Sequence, residues 1–536
     1  MACELVSCSN EALISGGEMN RSPNYLCLVL VLQVATASAQ TLDETKQEAF
    51  RFLEEDQPRL AMIGDAIFSY SELGFQEFKG SKLLTDLLEK EGFTVERGVA
   101  GMPTAFVATY GSGHPVIGLM ADIDGLPVQS QKPGVAYHDP LIEGAPGHGE
   151  GHNTNQAVVT GAALAVKQLI DRYGLEGTIK VFPGVAEELI GSRGFMAKAG
   201  LFDGLDAMLD AHLGSRFGTS YGLTNMGLVS VEFTFHGQTA HGASSPWLGR
   251  SALDAVTLMD VGWNFAREHL RPEQRSHSIV TWGGDQPNVV PDRASIWYYF
   301  REFDYERIRA LHEKGRKIAE GAALMTDTTV EERVFAGTWP FNGNKVLAEI
   351  LQANIERVGM PHWSEADLRL ARALQKELGV DEVGLPSEVT PLRRATQRAS
   401  STDAGDVTWL VPYVRLTFPS QIPGVTFHHW SSGVSPATPL GHKGIVVGAQ
   451  AFAGTILDLL LEPAHLDAVR AQFEEDTKDV TWTSLIPEGT IPPIELNADK
   501  MEKFRPLLAE FEYDLESGKT YIEQLGIAYP TVRDRP

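Results

Sequence analysis

Val116-Ile117-Gly118-Leu119-Met120-Ala121-Asp122-Ile123-Asp124-Gly125-Leu126-Pro127 is the stretch that decides how this chain folds. Val116 to Met120 is an uninterrupted apolar run, the pattern of a strand buried on both faces. It then breaks into two acids and a Gly-Leu-Pro turn. A strand that runs out into carboxylates sets them at the carboxyl edge of its sheet, where open α/β folds keep their sites. The same grammar recurs downstream. Thr178 to Phe182 reads as a strand followed by Ala186-Glu187-Glu188, and Ala207 to Ala211 as a strand ending in His212. Between them Gln156 to Leu169 has the pattern of a long amphipathic helix. This alternation predicts the α/β class: a mostly parallel, helix-flanked sheet.

Just ahead of that helix lies Gly147-His148-Gly149-Glu150-Gly151-His152-Asn153. Glycines let the backbone turn tightly, so a carboxylate and imidazoles can converge on one point. With Glu187, Glu188, His212 and His428, each near a strand end or a Gly-rich turn, Glu150 and His152 make a candidate ligand set for two divalent ions. Singly, each has a blander reading. Adjacent glutamates commonly open a helix, where the dipole favours acids, and a strand-end histidine is commonly just hydrogen-bonded. Order and context carry the weight.

Composition limits the alternatives. The chain has 536 residues, enough for two domains. A net charge of −25 leaves no basic surplus for a nucleic-acid partner. All three cysteines (Cys3, Cys8, Cys27) lie in the N-terminal segment. That segment reads as an export signal: Arg21, the apolar run Leu26 to Val34, and the small-x-small site Ala37-Ser38-Ala39. The run is too short for a permanent membrane anchor. Cleavage near Ala39 would give a periplasmic or secreted protein with no cysteine, whose metals must be held by His, Asp and Glu. N-terminal sequencing of the exported protein tests this; a mature start upstream of Thr36 would refute it.

Helical periodicity runs from Thr41 to Leu88, with short strands at 93–95 and 105–107. From about Asn225 to Gly337 the texture changes: Leu228 to His236 alternates as a half-exposed strand does, and the order strand, helix, strand, strand, helix suggests an inserted α+β sandwich. Helices follow at Lys345 to Val358 and Glu365 to Leu378. Residues 380–400, with Arg393, Arg394 and Arg398, read as a surface loop. Gly441 to Leu461 reads as strand then helix, and the tail beyond Glu462 carries no assignable role.

From about Glu48 to Leu461 the chain resembles the co-catalytic metallo-amidohydrolases of the aminoacylase and carboxypeptidase G type. The matching pieces are Ala121 to Pro127, Gly147 to Asn153, Ala186-Glu187-Glu188 and Ala211-His212. Others are Gly237-Gln238-Thr239-Ala240-His241-Gly242-Ala243, Gly249-Arg250-Ser251, Asn288-Val289-Val290-Pro291-Asp292, Ser401-Thr402-Asp403, His428-His429-Trp430 and Gly441-His442-Lys443-Gly444. Taken with the export signal and the change in texture, the resemblance leads to four regions: 1–39, an upstream extension plus signal peptide; 40–224, a first catalytic part; 225–337, an inserted lid and dimerisation domain; and 338–536, a second catalytic part with a C-terminal extension. It also implies that Glu150 bridges two divalent ions, that His152 and Glu188 complete one shell, and that His212 and His428 complete the other. His428 and His429 compete for that last place; relatives with His, one residue, then Trp favour His428. Glu187 would be the general base and acid, and Asp124 would orient His152. His241 would reach across a homodimer to stabilise the oxyanion, with Asn288 and Arg250 contacting substrate.

The most similar branch commonly has Cys at the bridge. Glu150 there is a harder ligand, which admits Mn²⁺ or Co²⁺ as well as Zn²⁺ and resists oxidation outside the cytoplasm. The implied activity is hydrolysis of N-acyl or N-aroyl amino acids, or of dipeptide-like amides with a free carboxylate. A dipeptidase or deacetylase of the same chemistry, and a metal-free binding protein on the same fold, are the competing readings.

Overall fold

The computed structural model describes residues 41–533. The expected export segment, residues 1–39, lies outside them. The strands are β1 (Thr94–Arg97), β2 (Phe106–Ser112), β3 (Val116–Asp122), β4 (Gly177–Gly184), β5 (Ala207–Gly214), β6 (Gly218–Leu223), β7 (Gly227–His236), β8 (Arg275–Trp282), β9 (Arg293–Glu302), β10 (Thr329–Thr338), β11 (Asn342–Gly343), β12 (Arg393–Arg394) and β13 (Tyr413–Pro419). The larger sheet runs β1-β2-β4-β3-β5-β13-β6-β11, with β12 beside β6. Its centre, β4-β3-β5-β13, is parallel. That is why Val116 to Met120 is apolar throughout: helices cover both faces.

Two long helices form the middle of the main core. His152–Tyr173 is buried along nearly its whole length, and Pro439–Leu461 packs against it. The latter is the one helix among the described residues long and apolar enough to cross a membrane, but 89% of its most apolar window is buried inside the protein. It is a single helix, where sequence periodicity suggested a strand first. The strand exists, but earlier, as β13. Arg415 interrupts its apolar pattern, and its ion pair with Asp210 on β5 makes that position tolerable.

The second sheet, β10-β7-β9-β8, is antiparallel. Helices Ala252–Ala266 and Tyr305–Thr326 cover one face and enclose a separate core that includes Trp263, Tyr298 and Phe300. Leu228 to His236, expected as a half-exposed strand, is instead a central strand of this sheet, buried at every position but Glu232 and His236.

The tail has a structural use that its composition did not announce. After helix Pro463–Thr477 it winds back over the main domain. Gln76 donates to the carbonyls of Ile494 and Leu496, Asn497 to that of Gly74, and Arg505 to that of Gln76. Further on, the Tyr521 amide donates to the buried Asp65 carboxylate, and the Tyr529 hydroxyl to Asp367, 2.7 Å away.

Candidate metal centre

Strand register brings the acids and imidazoles together. Asp122 pairs with Gly184 across β3 and β4, so the Ala186-Glu187-Glu188 turn begins just beyond the level of Asp122. Ala121 pairs with Ala211 across β3 and β5, which sets Asp122 and His212 at the same edge. Gly151 precedes the helix that starts at His152, with φ of +73°; a Cβ there would meet Leu213 Cδ1 at 2.3 Å. Glycine is therefore required to bring Glu150 and His152 in beside β5. Ala186, Ile190 and His428 hold positive φ without being glycine, a strain that clusters at functional sites.

The side chains meet as follows. His428 Nε2 lies 2.8 Å from Glu150 Oε2 and 3.4 Å from Glu188 Oε2. His212 Nε2 lies 3.5 Å from Glu150 Oε1. The His152 and His212 rings are 5.5 Å apart, edge to face. Potential ligand atoms of Asp122, His152 and His212 lie within 4.8 Å of one another, as do those of Glu150, Glu188 and His428. His429 faces elsewhere, with Nδ1 2.9 Å from the Ser431 hydroxyl.

Two of the imidazoles are set in the tautomer a metal needs. His152 Nδ1 lies 3.1 Å from the Asp124 carbonyl and 3.2 Å from its carboxylate. His212 Nδ1 lies 3.0 Å from the Leu213 carbonyl. A carbonyl oxygen only accepts, so Nδ1 carries the hydrogen and Nε2 presents its lone pair to the cluster. The other Asp124 oxygen accepts from the Glu188 amide at 3.0 Å, tying the two segments together.

Electrostatics describe a site built for cations. Burial and then the neighbouring Glu150 push the Glu188 carboxyl well above its usual range. Burial and the carboxylates of Asp122 and Asp403 do the same to Glu187. Burial would raise Glu150 too, but the His428 hydrogen bond and the charges of His212 and His152 hold it at about 2. His152 Nε2, Asp122 Oδ2 and Glu188 Oε1 are buried with no hydrogen-bond partner. Buried polar atoms almost always have one, so these orphans around a sulfur-free set of N and O donors fit bound divalent cations.

Sequence reasoning missed the support beneath this cluster. Arg193 is fully buried and pairs with both Asp122 and Asp403. Asp403 also accepts from the Ser192 and Arg193 amides, each at 3.0 Å. The Asp-x-Asp spacing at 122 and 124 was the available signal for Asp122; nothing in the sequence marked Arg193. Glu77 is a second unforeseen support. Its buried carboxylate accepts from the Ala186 amide at 2.7 Å and the Thr104 hydroxyl at 2.9 Å, which fixes the residue just before Glu187.

Three expected site residues stand apart. His241 sits in the second sheet's layer, where its Nδ1 accepts from the Ala243 and Ser244 amides. Arg250 pairs with Asp327 at 3.2 Å, and the Asn288 carbonyl accepts from Gly242. None of the three is among the residues lining the cleft above the cluster. His148 is directed away from the cluster: its Nε2 lies 3.0 Å from the Ile67 carbonyl and its ring stacks on Phe68.

A family model described as peptidase family M20/M25/M40 matches residues 118–387. One of the p-aminobenzoyl-glutamate hydrolase subunits from Escherichia coli is 34% identical over 478 residues, 83% of this chain and 99% of the relative. The chain belongs to peptidase family M20/M25/M40. This M20 chain is also 28% identical over 447 residues to a Xaa-Arg dipeptidase from Mus musculus, covering 82% of the chain and 94% of the relative. Among solved structures, an aminobenzoyl-glutamate utilization protein from Klebsiella pneumoniae aligns at 18% identity with a TM-score of 0.54, over 77% of this chain and 98% of that one. A dinuclear metal-binding M20 peptidase from Bacillus subtilis aligns at 21% identity with a TM-score of 0.50, over 76% and 99%. These two carry the fold. The M20 chain is a metal-dependent hydrolase of amide bonds.

Proposed function

We propose that this M20 protein hydrolyses N-acyl or N-aroyl amino acids that carry a free carboxylate, with two divalent ions held by Glu150, His152, Glu188, His212 and His428. The observation that carries the reading is the gathering of those five side chains, with Asp122, into two groups of neighbouring donor atoms, among which His152 Nε2, Glu188 Oε1 and Asp122 Oδ2 are buried without a hydrogen-bond partner. The ions, when bound, supply Lewis acidity that activates water and polarises the amide carbonyl. Everything else falls to the chain. Glu150, with one oxygen beside His212 and the other beside His428, would hold the ions together with those histidines. Asp124 holds the His152 ring in its orientation. Glu187 is the neighbour of a ligand and lines the cleft, so its carboxylate takes a proton from water and returns it to the leaving nitrogen. Zn²⁺, Mn²⁺ and Co²⁺ all suit a carboxylate-bridged set.

Chelation is expected to abolish hydrolysis of N-benzoyl amino acids, and adding back one of these ions to restore it. Elemental analysis should find two ions per chain, and Glu150→Ala should lose both metal and rate. Metal-free protein with full turnover would overturn the assignment.

The partner is a second copy of this chain, joined through the inserted layer. β8 is an edge strand with Ile279, Val280 and Trp282 exposed. Helix Ala252–Ala266 lies beside it through Trp263 to Ser276 and Asp260 to Ser278, and exposes Val261 and Phe265. An open apolar strand edge of this kind is a template for pairing. Such a dimer would bring His241 toward the other copy's cleft, to stabilise a developing oxyanion there. Light scattering should give a dimer that Ile279→Lys with Phe265→Glu splits. A fully active monomer would refute it.

A further inference from the structure

The turn that carries Glu187 is backed by Glu72-Leu73-Gly74-Phe75-Gln76-Glu77, which lies between helices Gln57–Tyr70 and Phe78–Lys90. Gly74 comes so close that a Cβ there would meet Ala186 Cα at 2.9 Å and the Asp124 carboxylate at 3.3 Å. At the other end of the turn, a Cβ on Gly191 would meet the Phe75 ring at 2.7 Å. Glu77 adds a polar tie. One of its oxygens accepts from the Phe75 and Ala186 amides, at 3.0 and 2.7 Å, and the other from the Thr104 hydroxyl. Glu77 is 1% exposed, so water does not compete for these bonds. Ala186 and Ile190, which flank Glu187-Glu188-Leu189, stand at φ of +52° and +58°, and Phe75 at +67°. Side chains hold such conformations only where their surroundings over-determine them.

Residues 72–77 form neither helix nor strand, so their own polar groups must find partners on other segments. The C-terminal tail supplies several. The Asn497 side-chain amide donates to the Gly74 carbonyl, and the Arg505 guanidinium to that of Gln76, both at 3.2 Å. The Gln76 side chain donates to the carbonyls of Ile494 and Leu496 at 3.1 and 3.3 Å. Leu73 is buried with Met501 and Leu508. Asn497 itself holds φ of +63°, which asparagine tolerates better than most residues. No residue beyond His428 is among those lining the cleft. Any effect of the tail on the reaction therefore runs through residues 72–77 to the turn.

We propose that residues 494–508 are a strap that sets catalytic geometry: acting through residues 72–77, they hold Glu187 at its working distance. Asn497, Arg505 and Glu77 are positioning residues for its proton transfer. This rests on the reading of Glu187 as general base and adds the device that fixes its reach. A general base must stand within hydrogen-bond distance of the water it deprotonates, and a displacement of about 1 Å costs on the order of 100-fold in rate.

The test removes the strap's two donors with Asn497→Ala, Arg505→Met and measures hydrolysis of an N-benzoyl amino acid at saturating metal. The kcat should fall about tenfold while KM stays within about twofold of the parent. Glu77→Ala should cost about 100-fold in kcat. Glu77→Gln, whose side-chain oxygen still accepts from the Ala186 amide, should recover most of that. Tyr529→Phe deletes a tail hydrogen bond elsewhere, to Asp367, and should leave kcat unmoved. Hydrogen exchange on the metal-free protein reads the strap without turnover. The amides of residues 186–191 should exchange about tenfold faster in the double variant, and at the parent rate in Tyr529→Phe. Parent kcat in the double variant, unchanged exchange at 186–191, or equal losses in Tyr529→Phe overturns the strap. Full activity in Glu187→Gln, with the double variant still loosening 186–191, overturns the base and leaves the strap's hold on the turn.

Discussion

Glu187→Gln is expected to lower kcat by about 1,000-fold, the usual reach of a positioned general acid and base, while metal content and KM stay near parent values. The side chain lines the cleft and is ringed by Asp122, Asp403, His152 and Glu150, yet belongs to neither group of converging ligand atoms. Its neighbour Glu188 does belong to one. Glu188→Gln should therefore lose metal as well as rate. Elemental analysis beside single-turnover rates separates the two adjacent residues. Full activity in Glu187→Gln, with both ions present, would remove the proton shuttle.

Arg193→Met carries the largest expected cost in stability, about 3–5 kcal/mol, because it strands two buried carboxylates. Arg193 is wholly enclosed, and Asp122 and Asp403 are both inaccessible to water. A loss of that size is a large part of the roughly 5–15 kcal/mol that ordinarily holds a domain together, so the variant should unfold at much lower urea concentration. The companion Asp122→Asn, Asp403→Asn, Arg193→Met removes the charges together and should recover most of the loss if charge imbalance is its cause. A single Arg193→Met that unfolds with the parent would show that the pair of ion contacts contributes nothing.

The fold was legible wherever burial had imposed a period on the sequence. Val116 to Met120, Thr178 to Phe182 and Ala207 to Ala211 are all central strands, because strands covered on both faces are mostly apolar; Lys180 and Asp210 are the charged exceptions, Asp210 being paired with Arg415. Helices Lys345–Val358 and Glu365–Leu378 have the bounds their periodicity predicted; Asn344 and Ser364 cap their first turns. β6, β10 and β13 escaped notice because polar residues interrupt them. Glu331, Glu332 and Arg333 sit in β10, and Arg415 in β13, where partners on other segments make the polarity tolerable.

The candidate centre followed the same division. Residues with short-range signatures, such as Glu150 and His152 among glycines, could be singled out, and the structure does gather them with Glu188, His212 and His428. Their supports could not. Arg193 meets Asp403 across 210 positions and Glu77 meets Ala186 across 109. An isolated arginine or glutamate carries no local mark of such a distant partner. Arg393 and Arg394 were visible as part of a basic patch in an expected surface loop, but not their parallel pairing with β6, which joins that stretch to the sheet.

The wrapped tail has a consequence for biogenesis. Asp65, near the start of the fold, receives the amide of Tyr521, and Val135 pairs with Thr531. The helix that carries Asp65 thus waits for a partner 456 positions further along the chain. A nascent chain halted before residue 520 would lack the closing seam along its first domain half, leaving apolar surface for chaperones to shield.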